Sequence, residues 1–179
     1  MTRGDRMGFE ALCAHIEAPL LGYVTKMLDG NVSEAEEVAQ EALFRLYQAL
    51  RAGRVKGALR PYVFSVAHNL AMDAGRKKRR IAPLDSSVIV PWTPGEHSAK
   101  PAERALLREQ IDKALAALPE SHRSALMLRE FGELRYDEIA ETLGVSLEQV
   151  KVWIYRARKR LAELLDRDGQ YVGEEQHGA

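Results

Sequence analysis

Residues Tyr136 to Leu161 carry the most specific chemical pattern in the chain. A short segment with Asp137, Glu138, Ile139, Ala140, Glu141 and Leu143 meets Gly144, whose missing Cβ permits a tight turn. Val145 follows as a turn-side core residue, and Ser146 is placed to cap the next helix. In that helix Val150, Ile154, Ala157 and Leu161 recur at spacings of four, three and four, which marks one apolar face. Leu147, Glu148, Lys151, Val152, Tyr155 and Arg156 are the candidates for base or backbone contact, and Arg158, Lys159 and Arg160 extend the positive charge. This is helix-turn-helix spacing: the second helix can enter a major groove while its basic residues reach phosphates. A carboxylate such as Glu148 can accept from cytosine N4, or simply favour the positive end of the helix. An antiparallel helical pair with a solvated basic face has the same spacing, so both readings stay open on these residues alone. Trp153 falls beside the core face, where it either completes a core or lies against a sugar-phosphate backbone.

A second basic group, Arg76, Lys77, Lys78, Arg79 and Arg80, is an unbroken run. It ends a predicted helix bearing Tyr62, Phe64, His68 and Asn69, a mixture of rings, polar groups and charge suited to unstacked bases and phosphates. A solvated helix end is the plainer alternative, and at least one of Tyr62 and Phe64 must serve the core. Just upstream, the glycine-punctuated stretch 51–58 contributes Arg54 and Lys56. Glu34, Glu36, Glu37 and Glu41 form the opposite kind of surface, which repels DNA and is either solvated or a protein-docking face.

Catalytic chemistry finds no such support. The histidines His15, His68, His97, His122 and His177 are scattered and show no zinc-hydrolase spacing. No glycine-rich loop cradles phosphate, and Cys13 lies on a helical apolar stripe where packing is its expected role. We expect no catalytic residue, no metal, no cofactor and no enzyme.

The elements that must position these residues are helices. Apolar residues recur at helical spacing through nearly the whole chain, which predicts an all-α fold. Phe9, Leu12, Cys13 and Ile16 open the first helical face, and Leu20, Leu21, Val24 and Leu28 continue it beyond Pro19 until Asp29-Gly30-Asn31 breaks the chain. Ser33, with Glu36 three residues on, predicts the cap of the next helix. Another helix is expected from near Pro61. Pro83, Pro91, Pro94 and Pro101, four of the chain's seven prolines, then predict a tether. A tether beyond about 12–15 residues is unusual inside one compact domain. The expected organisation is therefore a helical domain over 1–80, a Pro-rich flexible linker over 81–103, a second small helical domain with the helix-turn-helix over 104–165, and a flexible acidic tail over 166–179.

Composition agrees with this. The chain has 179 residues, 46% of them hydrophobic and 29% charged, as ordinary globular proteins do. Its 26 basic and 26 acidic residues cancel, but they are segregated, so a neutral total hides two basic patches. One cysteine excludes an intrachain disulfide and multi-cysteine clusters. No stretch approaches the roughly 18–20 apolar residues of a membrane span, and the N-terminus does not read as a secretory signal, which predicts a cytoplasmic protein.

Three segments in order resemble the bacterial RNA polymerase sigma factors of group 4, the extracytoplasmic-function (ECF) class. Residues 34–47, EAEEVAQEALFRLY, resemble the family's polymerase-docking helix, and residues 62–73, YVFSVAHNLAMD, followed by Arg76 to Arg80, resemble the helix that engages the melted minus-10 element. Leu118-Pro119-Glu120 opens a segment similar to the minus-35 domain, with Tyr136 to Leu161 as its helix-turn-helix. The resemblance implies a factor that binds core polymerase and directs initiation, recognising the minus-35 duplex and melting the minus-10 element. It implies docking by Glu34, Glu37, Gln40 and Glu41 on the largest-subunit coiled-coil, with the polymerase flap as a further contact. Minus-10 contacts would come from Arg54, Lys56, Tyr62, His68, Asn69, Arg76, Lys77, Lys78, Arg79 and Arg80, with loop 51–58 taking a flipped base. Minus-35 contacts would come from Ser146, Glu148, Gln149, Lys151, Tyr155, Arg156, Arg158 and Lys159. Double-stranded and melted promoter DNA and an anti-sigma factor are the other implied partners, the last a possible tie of a nucleoid-associated protein to the membrane without insertion of its own. The sequence departs from the family pattern at Gly75, His68 and Gln149, and at Val152 and Trp153, which replace a usual serine–arginine pair. A standalone helix-turn-helix regulator is the alternative, and a helical adaptor a third reading.

Overall fold

The computed structural model describes residues 3–55, 57–81 and 101–167, with side chains over 13–55, 57–77 and 105–166. Residues 82–100 of the predicted Pro-rich tether, 168–179 of the acidic tail, Lys56 and the side chains of Lys78, Arg79 and Arg80 lie outside the described residues. The ends of those two segments, residue 81, residues 101–103 and residues 166–167, are helical instead, because the flanking helices run into them. All elements among the described residues are helices: α1 (Arg3–Met27), α2 (Val32–Arg51), α3 (Leu59–Ile81), α4 (Pro101–Ala116), α5 (Glu120–Glu130), α6 (Tyr136–Leu143) and α7 (Leu147–Arg167). None is long and apolar enough to cross a membrane.

Helix α1 runs through Pro19 as one element. It ends where Asp29 adopts φ 52° and Gly30 N–H reaches back to the Thr25 carbonyl at 2.9 Å. A left-handed residue after the last turn is the usual way to close a helix, but glycine is the usual occupant; aspartate tolerates it better than most. The cap of α2 is Asn31, two residues before the expected Ser33. Its Oδ1 accepts from Glu34 N–H at 3.3 Å, and its Nδ2 donates to the Glu34 carboxylate at 2.9 Å. Asn31 wins because the helix starts at Val32, which leaves Ser33 exposed inside the first turn. The buried stripe of α2 is Ala35, Val38, Ala39, Ala42, Leu46 and Ala49. Four alanines in six positions let α1 and α3 approach closely, and their larger side chains, Tyr23 and Phe64, fill the space with an edge-to-face contact at 5.6 Å.

In the C-terminal half α4 and α5 pack with α6 on α7. Leu115, Leu118, Leu126, Leu128, Leu134, Ile139, Val150, Ile154 and Ala157 form its buried interior. After α5 the chain turns at Gly132, where a Cβ would meet the Leu128 carbonyl oxygen at 2.5 Å, so only glycine fits.

The two halves meet along a seam of α1 and α3 against α4, α5 and α6, and their cores are continuous across it. Gly22 of α1 receives the Phe131 ring so closely that a Cβ would stand 2.7 Å from it. Arg60, at the start of α3, donates to the carbonyls of Gly132 at 2.5 Å and Phe131 at 3.1 Å, and its guanidinium lies 3.4 Å from Glu133. It thereby holds the carbonyls that follow the C-terminal end of α5. Arg123 is buried and pairs with Asp29 at 2.8 Å, and Lys26 pairs with Asp112.

Candidate nucleic-acid and polymerase-docking surfaces

Gly144 at φ 66° and Ser146 set the angle between α6 and α7. The Val145 N–H reaches the Ala140 carbonyl at 3.0 Å, closing α6, and Ser146 Oγ accepts from Gln149 N–H at 3.2 Å, opening α7. α6 itself opens with Arg135 N–H donating to the Glu138 carboxylate at 2.7 Å. The turn is thus held at both ends by local bonds, and Val150, Ile154 and Ala157 anchor α7 below it.

Facing away from that anchor, Glu148, Gln149, Lys151, Val152, Tyr155, Arg156 and Lys159 are all exposed. Ser146 is committed to capping. Arg158 is exposed too and reaches back to Glu130 on α5 at 3.0 Å, a surface link of the kind phosphate could replace. Trp153 is half-buried against the core, its ring 6.2 Å from that of His122. Burial and the nearby Arg156 both push His122 below its ordinary value, which keeps this ring neutral at physiological pH.

The α3 residues divide differently. Phe64 is fully buried and belongs to the core, whereas Tyr62 is half-buried at its edge. Tyr62, Asn69 and Arg76 are seven residues apart, on the side away from Val63 and Ala67, and Asn69, Arg76 and Lys77 are exposed. Arg76 pairs with Asp73 at 2.6 Å, an exposed link that phosphate could replace. His68, by contrast, is half-buried with Nδ1 2.8 Å from the Tyr23 hydroxyl. Burial lowers its pKa and lifts that of the Tyr23 phenol far above the usual range, so a neutral imidazole and a protonated phenol share this hydrogen bond. His68 is thus tied to α1 through Nδ1, while Asn69, Arg76 and Lys77 beside it stand open to solvent. Arg54 is exposed in the loop after α2, where Gly53 adopts φ 62°.

On α2, Glu37 and Gln40 are exposed opposite the alanine stripe, Glu41 is half-buried and pairs with Arg45 at 2.7 Å, and Glu34 is half-buried at the cap. The sequence reading missed Phe44, which stands 53% exposed on the same face. Its signal was its spacing, seven residues after Glu37 and four after Gln40. Among the described residues no group of histidine, cysteine and carboxylate side chains could hold a metal ion.

Comparison with known proteins assigns the class. Residues 14–81 match the Sigma-70 region 2 model and residues 108–161 match Sigma-70, region 4. The RNA polymerase sigma-H factor of Pseudomonas aeruginosa is 33% identical over 177 residues, covering 92% of this chain and 90% of that one. The ECF RNA polymerase sigma factor SigW of Bacillus subtilis is 28% identical over 174 residues, with 92% of each chain covered. Among solved structures, the sigma factor RpoE in complex with the anti-sigma factor NepR from Bartonella quintana superposes with a TM-score of 0.72 at 22% identity, covering 90% of this chain and 98% of that one. The structure of CnrH in complex with the cytosolic domain of CnrY gives 0.65 at 21% identity, covering 91% and 90%. The chain belongs to the RNA polymerase sigma factors, within the group 4 or ECF class. It is a factor for promoter-specific transcription initiation, a family whose members are not catalysts themselves.

Proposed function

We propose that the two halves divide promoter recognition, residues 1–80 docking on core polymerase and engaging the minus-10 element, and residues 104–165 reading the minus-35 duplex. The observation that carries the second assignment is the separation of faces on α7: a buried apolar stripe on one side and an exposed, largely basic face on the other. Lys151, Arg156 and Lys159 then neutralise phosphates, and Glu148, Gln149 and Tyr155 meet base edges. On α2, Glu37, Gln40 and Phe44 form the docking face, with Glu41 and Glu34 at its margin. An exposed aromatic flanked by carboxylates fits a basic partner helix that also carries an apolar anchor site, as the largest-subunit coiled-coil would. Arg54 and loop 51–58 take a non-template base as it unstacks, while Tyr62, Asn69, Arg76 and Lys77 line the strand beside it. Binding energy of this kind shifts duplex toward open complex by capturing bases that have left the stack.

The site of action is the cytoplasm, where polymerase and promoter are. A protein inhibitor of the anti-sigma class is the further partner, a proposal supported by the two related complexes that contain one.

Run-off transcription with sigma-free core polymerase and a library of promoter fragments tests the reading. Initiation at discrete starts is expected, and Glu37→Lys should lower it at least tenfold while leaving the melting temperature unchanged. Silence with folded protein and matched core polymerase, or full activity in Glu37→Lys, would overturn the docking assignment.

A further inference from the structure

Two large apolar side chains stand on the open face of α7: Val152, 42% exposed, and Tyr155, 68% exposed. At about 100° per residue, Val152 lies about 200° round the helix from Val150. It is therefore at the pole opposite the buried stripe of Val150, Ile154 and Ala157. Residues three and four apart are neighbours on a helix surface, so Val152 is bordered by Glu148, Tyr155 and Arg156, all exposed. A single exposed valine is ordinary. This one is paired with an exposed aromatic at the centre of an otherwise polar and charged face. It makes no contribution to the core, and a β-branched residue is not favoured by the helix itself.

The major-groove edge of DNA offers one apolar feature, the 5-methyl group of thymine, among donors and acceptors that a valine cannot satisfy. Against cytosine the same side chain would cover the outward N–H of the N4 amino group and meet no methyl, so the contact discriminates between the two pyrimidines. The basic neighbours Lys151, Arg156 and Lys159 suit the phosphates on either side of such a contact. We infer that Val152 is a specificity-determining residue whose isopropyl group packs on the 5-methyl of a thymine in the upstream promoter element, with Tyr155 closing the contact on one side. The inference rests on the proposal that α7 reads that element.

Replacing thymine by deoxyuridine removes only the methyl group and tests it. Holoenzyme made from the full chain and core polymerase would first select its upstream element from randomised promoters. Each thymine of that element, on either strand, would then be replaced singly, and initiation measured in competition with the parent promoter. One position should lose about fourfold, the value of one buried methyl group. Val152→Ala should abolish that penalty and Val152→Ile should retain it, both with an unchanged melting temperature because position 152 is outside the core. A flat deoxyuridine scan, a penalty undiminished in Val152→Ala, or an element specified by G·C pairs alone would overturn the inference while leaving the reading of α7 intact. Selection that enriches no upstream element, despite initiation at discrete starts, would overturn both.

Discussion

Helices α3 and α7 are both proposed to meet promoter DNA, but they are built on different plans. On α7 the residues that hold the fold and those that face outward are separate sets. Val150, Ile154 and Ala157 are buried, Val152, Tyr155, Arg156 and Lys159 are exposed, and the link from Arg158 to Glu130 lies at the surface. On α3 the sets are interleaved. Phe64 fills the core, Arg60 closes α5 across the seam, and His68 is bonded to Tyr23, all within the helix that also carries Tyr62, Asn69 and Arg76. The lesson is that sequence preference can drift on α7 at little cost to stability, whereas changes along α3 disturb packing as well as binding.

The sharpest test pairs one ring from each helix. Phe64→Ala removes a fully buried ring that contacts Tyr23 edge-on and lies 5.7 Å from the Arg60 guanidinium. It should cost about 3–5 kcal/mol in urea denaturation. Tyr155→Ala should stay within about 0.5 kcal/mol, as exposed positions do. Similar losses at both sites would remove the distinction between the helices.

Acid should act next, mainly through α3. Burial holds folded His68 below the ordinary histidine value, Arg76 pushes in the same direction, and Glu120 opposes them more weakly than burial acts. The unfolded chain therefore binds the extra proton first. Stability is fully present above about pH 6.5 and is lost as the pH falls from there toward the lowered folded value. Burial and Arg156 give His122 the same sign. The melting temperature should be lower at pH 5.5 than at pH 7.5. His68→Gln should remove more of that difference than His122→Gln, because the His68 ring is the more deeply buried of the two and its Nδ1 is bonded to Tyr23. An equal or larger share from His122 would place the acid sensitivity in the wrong half.

The smallest effect belongs to the charged part of the seam. Asp29→Asn leaves an oxygen to accept from Arg123 and suits the positive φ, and the Asp29 side chain is 70% exposed. Its cost in thermal denaturation should be about 1 kcal/mol or less. A larger loss would mean that the charge itself holds the two halves together, rather than the packing of Phe131 on Gly22.

Much of this was legible because it is local. The face of α7 follows from Val150, Ile154 and Ala157 recurring at helical spacing, and the turn before it from Gly144 and Ser146, whose bonds close within a few residues. Local rules failed where two candidates stood close together: Ser33 and Asn31 both fit a cap, and the choice depended on where α1 stopped. Phe44 lies two residues from both Ala42 and Leu46, about 200° round the helix from the buried stripe they belong to, so its outward place was legible, but nothing local says what an outward aromatic is for. The bond of His68 was hidden for the opposite reason. The residue reads as polar and available, but its partner Tyr23 is forty-five residues away.

The amino-acid sequence by itself determined the helices, their order, the segregation of charge and the inward and outward faces of α7. These depend on short-range geometry and on the period of apolar residues. Only the tertiary structure decided which polar groups were spent internally. Arg60, Arg123, Lys26 and His68 meet partners from distant segments, and no local pattern encodes a hydrogen bond that exists only after two helices have packed.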